Sequence, residues 1–183
     1  MNKIIENIKN RRSIRDYKKE QIREEELQAI LEAATYAPSG CNAQPWHFTV
    51  IQDRDLINLM SSVAKDKLKN SSDEGFRNMA NNENLDLTHG APTLIVVSGK
   101  QEAYSPLTDC SAAIQNMLLA AESLDIGSLW IGLIGLSFNE EEVAGRLNIK
   151  EGYKPYYGIA LGYKGSLEPK APRRKENVIS YIR

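Results

Sequence analysis

Ala37-Pro38-Ser39-Gly40-Cys41-Asn42-Ala43-Gln44-Pro45-Trp46-His47-Phe48 decides how this chain is read. Pro38, Gly40 and Asn42 punctuate a turn. Asn42 and Gln44 each carry a donor and an acceptor on a short arm, which suits a planar heterocycle showing both kinds of edge. Residues 46–52 then read as a buried strand. Upstream stands Arg11-Arg12-Ser13-Ile14-Arg15. Three arginines and a hydroxyl in five positions can hold a phosphate through charge-assisted, partly bidentate hydrogen bonds. The same run also suits a solvated basic turn that complements a helix C-terminus. The 38–44 turn likewise also suits a plain helix-to-strand connection.

Working outward, residues 2–10 carry Ile4, Ile5 and Ile8 at helical spacing. Residues 24–36 place Leu27, Ile30, Leu31 and Ala34 on one helix face, with acids in the first turn. Asp53 caps a helix running to about residue 69. Residues 70–84 are rich in Asn, Ser and Asp and read as a surface segment with partial helix. Residues 93–98 are β-branched and apolar throughout, hence a central strand buried on both faces. Residues 107–124 form the longest helical pattern, with Gly127 as its stop. Residues 129–136 are strand-like, broken by Gly132 and Gly135. A short helix over 139–147 and a last central strand over 156–162 follow. Residues 163–183 hold Pro169, Pro172, a basic cluster and an apolar end from Val178 to Ile182. The expected architecture is one α+β domain over 1–183, a central mixed β-sheet flanked by helices on both faces.

Composition bounds the function. Of the 183 residues 42% are apolar and 26% charged, ordinary for a soluble globular domain. A net charge of −1 excludes the basic field that a nucleic-acid binder needs. The longest apolar run is too short to span a bilayer. No signal peptide is visible, and two cysteines, Cys41 and Cys110, make no disulfide framework. The expectation is a cytoplasmic protein without nucleic-acid or membrane partners. His47 and His89 form no metal pair, although His89 is placed to line a pocket mouth before Gly90-Ala91-Pro92.

Taken together, the Arg-x-Ser-x-Arg run, the Pro-Ser-x-x-Asn-x-Gln-Pro-Trp turn and the C-terminal basic run resemble the nitroreductase-like flavin enzymes. The resemblance covers essentially the whole chain. It implies an FMN-dependent oxidoreductase that takes hydride from NAD(P)H and passes electrons, by a ping-pong mechanism, to nitroaromatics, quinones or related small acceptors. It assigns Arg11, Ser13 and Arg15 to the FMN phosphate, ribityl chain or ring edge, with Arg12 contributing main chain. Pro38, Ser39, Gly40 and Asn42 are expected on the flavin of a neighbouring subunit, and Gln44 in its own subunit's site. Gly132, Ile134 and Gly135 form a backbone approach to the ring, with a main-chain N–H of Ile134 or Gly135 serving flavin N5. Some relatives carry an acid where Ile134 stands. Arg174, with Arg173 or Lys175, returns to clamp the phosphate, and one of Asn78, Asn81, Asn82 and Asn84 reaches the ribityl chain. A homodimer with composite sites, its C-terminal tail wrapping the partner subunit, follows from the same likeness. A non-catalytic flavin-binding or flavin-sequestering protein of this fold would show the same motifs, as would a member with another flavin reaction such as enone reduction or dehydrogenation. A cofactor-free interaction domain is the remaining reading.

Overall fold

Four β-rich runs pair edge to edge into one sheet: β1 (Trp46–Ile51), β2 (Thr93–Lys100), β3 (Ile126–Ile131) and β4 (Tyr153–Tyr163). The computed structural model describes residues 2–167 and 169–183. The strand order is β1-β2-β4-β3, and every neighbouring pair is antiparallel. The α+β class stands, but the four named strands contain no parallel ladder. The reason is an insertion. β2 and β3 run the same way, and β4 lies between them, so one would-be parallel pair becomes two antiparallel ones. The parallel character left is the single Ser13–Ser128 bridge.

β2 explains its own unbroken apolar run. Leu94 and Val96 face a core that includes Ile57, Met60 and Ala64, while Ile95 and Val97 face a second core with Ile30, Ile114 and Met117. All four are fully buried. Alternate side chains point to opposite faces, and both faces are covered, so no polar alternation survives.

Six helices supply the cover: α1 (Lys3–Asn10), α2 (Glu24–Thr35), α3 (Arg54–Leu68), α4 (Glu74–Asn81), α5 (Pro106–Ser123) and α6 (Glu141–Leu147). Asp53 caps α3, its Oδ1 accepting the Asp55 and Leu56 N–H groups at 3.0 and 3.2 Å. The polar 70–84 stretch holds α4, capped by Asp73 and burying only Ala80. With one buried position there is little periodicity to read. α1 turns Ile4, Ile5 and Ile8 outward and touches α5 through the Asn7 amide on the Leu119 carbonyl.

Gly127 does not stop α5. The helix ends at Ser123 and Asp125 takes the left-handed turn (φ 58°). Gly127 lies inside β3, where a Cβ would meet Ile14 Cγ2 at 3.0 Å and the Gly162 carbonyl at 3.1 Å. Its bareness lets residues 11–17 cross the sheet as a strap. The run 129–136 divides in two, with β3 ending at Ile131 and a 3-10 turn following over Leu133–Ser137. No helix among the described residues is long and apolar enough to cross a membrane.

Candidate functional site

The strap presents the arginines by alternation. Ile14 and Tyr17 point into the core, and the Ile14 N–H donates to the Ser128 carbonyl at 3.0 Å. The Tyr17 hydroxyl donates back to the Ile14 carbonyl. Ser13 and Arg15 are left on the outer side. Arg12 closes the end of α1, its Nη1 donating to the Lys9 and Arg11 carbonyls at 2.6 and 2.8 Å. The helix-capping role and the cleft-lining role therefore coexist in one side chain.

Arg11, Arg12, Ser13 and Arg15 line a cleft of about 420 Å³ with Pro169, Lys170, Pro172 and Arg174. Among the described residues its lining carries five cations and no carboxylate. Such a concavity concentrates positive potential and selects an anion able to accept several forked hydrogen bonds. Of the C-terminal basic run, Arg174 lines this cleft; Arg173 pairs with Glu176 at 3.2 Å, and Arg173, Arg174, Lys175 and Glu176 line a further surface hollow.

Arg15 also belongs to a second, adjoining cavity of about 150 Å³. Its other walls are Met79, Leu87, His89, Leu129, Trp130, Ile131, Gly132 and Leu133. A basic mouth thus continues into a mostly apolar slot. His89 sits there at φ 52°, in a loop pinned by Asp86, whose carboxylate accepts the Thr88 and Gly90 N–H groups at 2.9 and 2.8 Å. Burial first, and the Arg15 charge second, hold His89 below the usual imidazole range, with Asp86 opposing. Both favour the neutral imidazole at the slot.

Beyond Gly132 the backbone tightens. The Gly135 N–H already donates to the Gly132 carbonyl at 3.1 Å. The Ile134 N–H lies at the start of the 3-10 turn, where such groups lack an internal acceptor. The Ile134 side chain is fully buried and fills the space Gly158 leaves, where a Cβ would stand 2.5 Å from Ile134 Cγ2.

The 38–44 turn is elsewhere. It lines neither the cleft nor the slot of its own chain. Cys41, Asn42 and Gln44 all have positive φ (52°, 53° and 44°). Asp109, at the start of α5, holds it: Oδ1 accepts the Gly40 N–H at 3.1 Å and the Ser105 hydroxyl at 3.0 Å. The Gln44 N–H donates to Ser39 Oγ, and the Gln44 amide to Asn42 Oδ1. Gln44 stands beside Asn42. Pro38, Ser39, Gly40, Asn42 and Gln44 form one unit, and Arg11, Ser13, Arg15, Gly132 and Arg174 another.

The Nitroreductase family model matches residues 8–163. The chain belongs to the nitroreductase family. It is similar to the crystal structure of a nitroreductase with bound FMN from Bacteroides fragilis, at 36% identity over all of both chains and a TM-score of 0.89. A nitroreductase with bound FMN from Desulfitobacterium hafniense is 34% identical over all of both chains, with a TM-score of 0.89. A protein of Archaeoglobus fulgidus, provisionally named as an NADH dehydrogenase/NAD(P)H nitroreductase, is 34% identical over 89% of this chain and 86% of its own.

Within this nitroreductase frame, some lining residues escape sequence reading. Met79 stands in the polar 70–84 stretch, which offers little periodicity, and Leu87 carries no motif around it. None of Asn78, Asn81, Asn82 and Asn84 lines the slot; α4 sends Met79 there instead. Among the described residues no three His, Cys, Asp or Glu groups gather as a metal site. Cys41 is exposed and Cys110 buried, the latter's thiol pushed up to about 12 by burial and the neighbouring Asp109.

Proposed function

We propose that this nitroreductase-family protein is an FMN-dependent NAD(P)H oxidoreductase acting on small electron acceptors such as nitroaromatics or quinones. The observation that carries the reading is Arg15, shared between a cleft lined by cations and a slot lined by apolar groups. A nearly dianionic phosphate joined to a flat ring matches that pair of cavities. When bound, FMN supplies the hydride chemistry at its N5. The chain's own work is to hold and tune it. Arg11, Ser13 and Arg174 would take the phosphate. Arg15 would carry positive charge towards the ring, favouring its electron-rich form. The Ile134 N–H is the donor available to a ring nitrogen. No side chain of either cavity is assigned a proton-transfer or nucleophilic role.

The slot is about 150 Å³ within one chain, below the roughly 300 Å³ of ordinary ligand pockets. A second wall is needed. The exposed turn at 38–44, which lines neither the cleft nor the slot of its own chain, is the candidate, supplied across a homodimer. One shared slot then serves reductant and acceptor in turn. The test is the purified protein's visible spectrum together with NAD(P)H consumption on adding a quinone. A yellow protein with one FMN per subunit and parallel double-reciprocal lines is expected. A colourless protein that gains no flavin absorbance rejects the reading, and a yellow one that leaves NAD(P)H unoxidised makes it a flavin carrier.

A further inference from the structure

The cleft depends on residues 169–174, which have no regular structure, lying against the strap. One side chain organises their approach. Asp16, between Arg15 and Tyr17, accepts the Ser166 N–H at 2.8 Å, the Leu167 N–H at 3.1 Å and the Ser166 hydroxyl at 3.4 Å, all on Oδ2. Its backbone carbonyl accepts the Gly165 N–H at 2.8 Å. Gly165 has no side chain because a Cβ there would overlap the Asp16 carboxylate. Just before, Lys164 bridges Tyr17 and ion-pairs with Glu122 and Asp125. Further along, Pro169 and Pro172 line the cleft beside Lys170 and Arg174, with φ locked by their rings.

An acid one residue from a basic anion site would ordinarily oppose the anion. Here the carboxylate lines neither cavity and is turned onto the backbone of the tail. Charged acceptors make hydrogen bonds roughly twice as strong as neutral ones, so this is a firm hold on an otherwise irregular segment.

We propose that Asp16 is a positioning residue for the phosphate clamp: by fixing the 165–167 backbone it brings Lys170 and Arg174 up to Arg11 and Arg15. The clamp is closed within one chain, and an acidic side chain that never meets the phosphate sets its affinity. This rests on the FMN reading of the cleft.

Equilibrium binding of FMN and of riboflavin, which lacks the phosphate, to the full-length chain separates the possibilities. Asp16→Ala and Gly165→Ala approach the same contact from its two sides, and Asp16→Asn keeps a weaker acceptor. Each alanine variant should weaken FMN by about tenfold or more while moving riboflavin less than about twofold. Asp16→Asn should fall between them and the parent. Asp16→Ala added to Lys170→Ala/Arg174→Ala should bind FMN no worse than Lys170→Ala/Arg174→Ala alone, because both remove the same arm. Equal losses for FMN and riboflavin would mean a general structural role and overturn the proposal. So would an Arg174→Ala that weakens FMN beside Asp16 variants that do not. An Arg174→Ala indistinguishable from the parent would overturn the phosphate reading of the cleft itself.

Discussion

The strap-and-tail cleft and the 38–44 turn are opposite ways of preparing a surface. The cleft draws its walls from residues 11–15 and 169–174, far apart in sequence, and meets solvent with cations. The turn is local, closed on itself by hydrogen bonds, and bent through three non-glycine residues at positive φ. Cys and Gln gain nothing from that conformation, so it carries a cost of order 1–3 kcal/mol at each. The cleft is an open concavity, whereas the turn is a closed shape that lines neither the cleft nor the slot of its own chain.

The sharpest break between them is Arg11→Ala with Arg174→Ala. FMN binding should fall by roughly 3 kcal/mol or more, at about 1.5 per charged hydrogen bond lost, as read by flavin fluorescence titration. Unchanged affinity would detach the cleft from the cofactor.

Mixing that variant with Ser39→Ala/Asn42→Ala tests where the turn acts. Each parent homodimer has two damaged sites. A hybrid dimer pairs an intact cleft on one subunit with an intact turn on the other, so it should regain close to half the normal flavin and activity. No recovery in purified hybrids would return the turn to its own chain.

Asp109→Ala sharpens the turn side alone. It removes the acceptor of the Gly40 N–H and the Ser105 hydroxyl from a buried carboxylate. A loss of roughly 1–3 kcal/mol in chemical denaturation is expected, with riboflavin weakened as much as FMN. A selective FMN loss would contradict the division of labour.

The smallest effect is a pH dependence at the tail's root. Glu26 accepts from Arg23 and from the Tyr163 hydroxyl, and those bonds, Arg23 first, hold its carboxyl down at about 2. Because the folded pKa lies below the unfolded one, the stabilisation is complete above about 4.5 and is lost as pH falls from there towards 2. Arg23 is exposed, so the contribution is roughly 1 kcal/mol. Glu26→Gln should lower the melting temperature by a few degrees at pH 7 and converge with the parent near pH 2. Parallel curves across that window would remove Glu26 from the account.

What could be read in advance was local. The Asp53 cap and the unbroken β2 run are each set by neighbours within a few residues, and the structure keeps them. Arg174 was legible as one of three because a basic run has no register without its cleft. Asp16 and Asp109 were invisible, since their partners lie some 150 and 69 positions away. Gly127 looked like a helix stop because the strap it accommodates comes from the other end of the chain. The mixed sheet failed for the same reason: nothing in β2 or β3 announces that β4 will lie between them.

That insertion also sets the timetable of folding. β3 has no ladder until β4, at Tyr153–Tyr163, has been made, and one edge of β2 stays open until then. A chain emerging from the ribosome therefore holds β2 with one open edge, and then β3 as well, until Tyr153–Tyr163 has been made. Contacts this distant in sequence close slowly. Pulse-labelled hydrogen exchange should find β3 amides protected together with those of β4 and not before them. The arm bearing Arg174 follows β4 in the chain, so the anion cleft closes only after the sheet's last strand has been made.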